Sequence, residues 1–210
     1  MRGALFVLAL LTLGAGCGGD DEPAASGGEC DGVEAPAARE PGTHEAPSGP
    51  LDAGTSYGLV FATSCGTFTV DLDTELAPNT AASLVELARH GYFDDTIFHR
   101  IVPGFVIQGG DPTQTGSGGP GYKTVDAPPA GSRYVKGVVA MAKTQVEAAG
   151  TSGSQFFVVT GDDVGLPADY AIVGEVTEGI DTVERIGALG GPDERPTQPV
   201  VITSVTVVES

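Results

Sequence analysis

Eight short β-rich runs, separated by loops heavy in glycine and proline, constrain this chain more than any other feature. The first two, inside "SYGLVFATSCGTFTVDLD", flank "SCG" as a hairpin signal and carry Phe61, Phe68 and Val70 among their apolar positions. The others are "TIFHRIV", "FVIQG", "GVVAMA", "QFFVVT", "AIVGEV" and the closing "PVVITSVTVVE". Only two segments carry a helical period. In "APNTAASLVELARHGYFD", Pro78 suits a first helical turn, Ala81, Leu84, Leu87 and Ala88 recur at three and four, and Gly91 fits a stop. A second, shorter helix is expected near "GIDTVERIG". Many short strands with two helices argue for a mainly β antiparallel barrel or sandwich rather than an alternating α/β sheet.

With 210 residues and 40% apolar content, the chain suffices for one sizeable core, expected over residues 55–210. Residues 17–54 are dominated by Gly, Pro, Ala, Ser and acids without sustained periodicity, which predicts a flexible tether. The 28 acidic against 10 basic residues give a net charge of −18. Such a field repels nucleic-acid phosphates and anionic membrane surfaces, so neither is an expected partner.

The opening "MRGALFVLALLTLGAGC" has one cation at Arg2, an apolar run from Ala4 to Leu13 and then small residues, the layout of a secretory signal over residues 1–16. The run is too short to remain as a membrane span. Leading straight into Cys17, it resembles a bacterial lipoprotein signal, in which Cys17 is lipidated and becomes the new N-terminus. Leu13, however, stands four residues before the cysteine, where that signal usually has it three before. The resemblance implies an extracytoplasmic protein held on the bacterial cell membrane by its lipid alone, and plain secretion or a soluble periplasmic location is the alternative.

Cys30 and Cys65 remain as an even pair, which in an exported chain reads as a disulfide. The alternative is a metal site, but His44, His90 and His99 lie at no ligand spacing to these cysteines. Other motifs lack their contexts. "GSGGPG", Gly116 to Gly121, matches G-x-G-x-x-G, yet Pro128 and Pro129 interrupt the segment where a dinucleotide site needs a helix. Tyr122 puts Lys123 out of register for a P-loop, and Leu76 and Ala82 break the calcium-loop pattern that begins at Asp71. No G-x-S-x-G elbow accompanies His99, which reads as a structural residue of an apolar strand.

The segments "GYFDDTIFHRIVPGFVIQGGDP", "VVAMAK", "GTSGSQFFVV" and "YAIVGEV" occur in that order, and from about Tyr57 to Val208 the chain resembles the cyclophilins, a family of peptidyl-prolyl cis-trans isomerases. The resemblance implies a closed eight-stranded antiparallel barrel capped by two helices, with an active groove on the barrel's outside. Arg100 then stands as the catalytic arginine, Phe105, Val106 and Phe157 as the wall of the proline pocket, and Gln108 as a group holding the peptide backbone. Ala142 and the backbone of Lys143 flank the bound peptide, Gln155 lies in the matching groove segment, and Leu166 and Tyr170 occupy pocket positions. Val106 stands where the family often has Met, and the chain lacks the tryptophan of many eukaryotic members.

These residue types suit the reaction. Rotation about an X-Pro amide breaks C–N resonance, and the twisted nitrogen gains a lone pair that a rigid, permanently charged guanidinium can bind. Neither metal nor cofactor is needed. The expected partners are unfolded or extended proline-containing polypeptides met by a monomer. The competing expectation is a proline-peptide binding module or holdase with little turnover.

Overall fold

The computed structural model describes Met1 and residues 29–210. The signal and lipidation expected of residues 1–16 and Cys17 fall, apart from Met1, outside the described residues. The elements run β1 (Tyr57–Thr63), β2 (Gly66–Leu72), α1 (Pro78–Arg89), β3 (Thr96–Ile97), β4 (Arg100–Val102), β5 (Val106–Gly109), β6 (Thr124–Val125) and β7 (Val138–Met141). They continue with β8 (Thr151–Ser152), β9 (Phe156–Val159), β10 (Ile172–Glu178), α2 (Ile180–Gly187) and β11 (Val201–Glu209).

Nine of these strands form one strongly curled antiparallel sheet in the order β3-β11-β1-β2-β10-β7-β9-β5-β4, and β6 and β8 make a separate ribbon. The two edge strands, β3 and β4, are neighbours in the chain, split by Phe98 and His99. The predicted run "TIFHRIV" is thus one bent strand. Its first half pairs with β11 and its second with β5, so the sheet starts and ends on the same seven residues. Counted this way the curled sheet has the eight expected staves, although the hydrogen-bonded ladder is open between β3 and β4.

Strand alternation decides which residues fill the interior. Along β9, Phe156 and Val158 belong to the inner core and Phe157 and Val159 to a second apolar cluster on the outside. In β5, Ile107 points in and Val106 out; in β7, Val139 and Met141 point in and Ala140 out. All four residues of β9 are buried because this face of the sheet is covered on its outer side too. The interior is aromatic: Phe61 stacks on Phe68 at 4.8 Å between centroids, and Phe156 meets Phe61, Phe93 and Phe98.

Helix α1 begins with Pro78 at its first turn and buries Ala81, Leu84, Leu87 and Ala88, and Gly91 follows with a φ of 64°, the left-handed stop that its sequence predicts. Its free N-terminal donors are met from outside the helix. Asp126 accepts from the backbone Thr80 N at 2.7 Å, and the Asn79 side chain adds a bond from Nδ2 to the same carboxylate at 2.8 Å. Helix α2 covers the predicted "GIDTVERIG" and buries Val183 and Ile186.

The expectation of a free tether is corrected for the residues from Cys30 onward. Cys30 is bonded to Cys65. Asp31 N donates to Ser64 O, Arg39 N to Pro112 O, Gly42 N to Gly119 O and His44 N to Pro120 O, while the Arg39 guanidinium reaches Tyr92 O at 2.6 Å. Main-chain bonds of this kind leave no period in the side chains, which is why the composition read as unstructured. The segment is a strap laid along the 111–120 loop.

Candidate active site

Antiparallel register assembles the site. Arg100 on β4 stands opposite Gln108 on β5, Gln108 opposite Phe157 on β9, and Phe157 opposite Ala140 on β7. This row crosses four strands on the outer face, because Ile101, Ile107, Phe156 and Met141, each one residue along, point inward. A period of two therefore puts Arg100 and Gln108 on the outer surface.

Phe105, Val106, Phe157, Leu166 and Tyr170 line a cavity of about 290 Å³ with Arg100 and Gln108 at its polar end and Ala142 and Lys143 on its flank. Nine of the ten groove residues expected from the sequence thus share one hollow, and Gln155 lies in an adjoining hollow of about 240 Å³. Val106 and Phe157 are almost wholly buried, forming a firm apolar floor. Tyr134, fully buried beneath them, was not anticipated. Its hydroxyl donates to Tyr170 O at 2.7 Å and accepts from Tyr170 N at 3.0 Å, which fixes the loop carrying the pocket's far wall. Phe157 and Tyr170 meet edge to face at 5.6 Å.

The polar end is a relay of amides. The Arg100 Nη1 donates to Gln108 Oε1 at 3.4 Å, Gln108 Nε2 to Gln155 Oε1 at 3.0 Å, and Gln155 Nε2 to Gly118 O at 2.9 Å. The last acceptor belongs to the glycine-rich loop, which is organised around one carboxylate. Asp111, with no exposed surface, accepts from the backbone of Thr113, Thr115, Gly116 and Gly118 and from the Thr113 hydroxyl. Burial would raise the Asp111 pKa, but these hydrogen bonds outweigh it and hold the carboxyl below its ordinary value. "GSGGPG" is thus a loop wrapped on an anion of the chain's own. A side chain at Gly118 would strike Asp111, since a Cβ there would lie 2.0 Å from Oδ1.

Two further features escaped sequence reasoning. Glu194, in the loop between α2 and β11, accepts from Arg100 Nε at 2.7 Å. Lys143 was expected to contribute backbone, and its side chain is in fact buried, 2.5 Å from Asp169 and 5.5 Å from the Tyr170 ring centre. His99 has both ring nitrogens buried without a hydrogen-bond partner among the described residues. Burial depresses its pKa against the opposing pull of Asp111, and nearby Arg100 adds to the depression.

Comparison with known proteins gives a consistent answer. Residues 59–207 match the family described as cyclophilin type peptidyl-prolyl cis-trans isomerase/CLD. A peptidyl-prolyl cis-trans isomerase-like 1 protein of Gibberella zeae is 39% identical over 156 residues, covering 72% of this chain and 94% of the relative. The crystal structure of a cyclophilin type peptidyl-prolyl cis-trans isomerase from Cryptosporidium parvum superposes with a TM-score of 0.67 at 28% identity, covering 74% of this chain and 99% of that one. The same isomerase, crystallised in the presence of the dipeptide Ala-Pro, gives a TM-score of 0.66 at 28% identity over 73% and 99% of the two chains.

Proposed function

The chain belongs to the cyclophilin-type peptidyl-prolyl cis-trans isomerases, and from that premise we propose that it isomerises X-Pro bonds in exported polypeptides with Arg100 as the catalytic residue. The carrying observation is the register row that sets a half-buried guanidinium at the mouth of an apolar hollow of about 290 Å³.

The hollow takes the pyrrolidine ring. Phe105, Val106, Phe157 and Leu166 match its apolar surface and grip it while the acyl side of the bond turns. As the amide twists, resonance is lost and the nitrogen lone pair localises beside the guanidinium. The Arg100 donors interact with it more strongly in the twisted state than in either planar one, and every ~1.4 kcal/mol of that difference is tenfold in rate. Water excluded from the apolar wall strengthens those bonds. Gln108, tied to Gln155, offers its remaining capacity to the peptide backbone.

The signal-like layout of residues 1–16 and the Cys30–Cys65 bridge favour action outside the cytoplasm, where disulfides persist. We place the protein on the bacterial cell membrane through lipidated Cys17, with secretion or a soluble periplasmic form as the competing outcome. The intact mass of protein extracted from membranes decides: an acyl increment on a chain starting at Cys17 supports the anchor, and an unmodified soluble chain rejects it.

Turnover is tested with a proline-containing peptide in a coupled or exchange-NMR assay on wild type and Arg100→Ala. Wild-type exchange well above that of the variant is expected. Equal exchange with retained peptide binding overturns the isomerase reading in favour of a proline-peptide binding module or holdase.

A further inference from the structure

Arg100 can offer its fork to a substrate only if something holds the other edge of the guanidinium. Phe105, whose ring centre lies 6.0 Å from the Arg100 Cζ, supplies a face but no direction. Gln108 takes Nη1 at 3.4 Å, a long bond. The short one, at 2.7 Å, runs from Nε to Glu194.

Glu194 is presented by a loop built to hold it. Its own carbonyl accepts from Ile101 N at 2.8 Å, so main chain and side chain grasp two successive residues of β4. Its φ is 63°, a left-handed conformation uncommon for a side chain of this size. That geometry persists because the loop is closed from both ends: Gly191 N donates to Arg195 O at 2.7 Å, Glu194 N to Gly191 O at 3.1 Å, and Thr197 N to Leu189 O at 2.7 Å.

Resting on the isomerase reading, we propose that Glu194 is a positioning residue for catalysis. It occupies Nε and leaves Nη2, with Nη1 held only by the long Gln108 bond, for the twisted amide. Its pair with Arg100 is too exposed, at 34% and 56% of the two side chains, to matter much for folding. Its contribution is orientation, which small displacements of a catalytic group remove.

The full chain is compared as wild type, Glu194→Ala and Glu194→Gln, with Arg100→Ala as the zero of turnover. We expect Glu194→Ala to lose about tenfold in kcat with KM changed less than about twofold. Glu194→Gln, which keeps an acceptor for Nε without the charge, recovers part of that loss. The Nε–H proton of Arg100, followed by NMR in the free protein, is protected from exchange in wild type and exposed in Glu194→Ala. Unfolding midpoints stay together across the set. Unchanged kcat in Glu194→Ala overturns the proposal, and so does a rise, which means that the carboxylate competes with the substrate for the guanidinium. A wild type without turnover defeats the isomerase reading instead. The Nε–H signal still reports on its own whether Glu194 holds Arg100.

Discussion

Lys143 places its ammonium 2.5 Å from the Asp169 carboxylate, with the lysine side chain 1% exposed and the aspartate 36%. The cation also donates to Thr144 O and Glu147 O, so all three of its protons are used. The pair joins the segment after β7 to the segment before β10, both of which contribute to the lining of the pocket. Asp169→Ala strands a buried charge and is expected to cost about 2 kcal/mol, less than a fully buried pair because water reaches the carboxylate. Adding Lys143→Met returns most of that loss. Urea unfolding of the three variants checks it, and a double variant no better than Asp169→Ala contradicts it.

Arg100→Lys separates charge from shape. Lysine keeps a cation but has no planar fork and lacks the Nε–H that Glu194 holds. We expect Arg100→Ala to lose about 100-fold in kcat/KM, by analogy with removing one preorganised donor, and Arg100→Lys to stay at least about tenfold below wild type. Recovery to wild-type rate in the lysine variant would mean that charge alone suffices.

Acid should weaken the groove's rim at a defined place. The Glu147 carboxyl is held down at about 2 by the backbone N–H of Thr144 and by Lys123, from an ordinary value of 4.5. A depressed folded-state value means that the stabilisation is present above pH 4.5 and lost as pH falls from there toward 2. Solvent screening at this surface position reduces the contribution to about 1 kcal/mol. Glu147→Gln should therefore be less stable than wild type at neutral pH and nearly equal at pH about 2, read from thermal midpoints across that range.

The Cys30–Cys65 bridge closes a loop with a sequence separation of 35. Chain entropy alone puts its contribution at about 3–4 kcal/mol. The double Cys30→Ser, Cys65→Ser variant should melt correspondingly lower. Hydrogen exchange should show early loss of protection at Asp31, Arg39, Gly42 and His44, whose amides tie down the strap. Unaltered protection there would show that the strap docks without its bridge.

What the sequence made legible was local or periodic. The bent run from Thr96 to Val102, the apolar stripe of α1 and the alternation in β9 are properties of consecutive residues. The row Arg100, Gln108, Phe157 came into view through the resemblance of its segments, since nothing in the spacing says that β5 lies between β4 and β9. Glu194 stayed hidden because it stands 94 residues from Arg100 and owes its reach to a left-handed turn. The partner of Lys143 was invisible for a related reason, since an exposed lysine and a buried, paired one are the same letter. The strap was misread because main-chain bonding to Pro112, Gly119 and Pro120 needs no particular side chains.

The bent strand has a consequence for how the sheet meets other extended chains. An ordinary sheet has two borders of unpaired amides and carbonyls, each a template on which another extended chain can add as a strand. Here both borders fall on Thr96 to Val102, and the Ile101 amide on the β4 side is already taken by the Glu194 carbonyl. Another extended chain that meets this sheet finds almost no border on which to add as a strand.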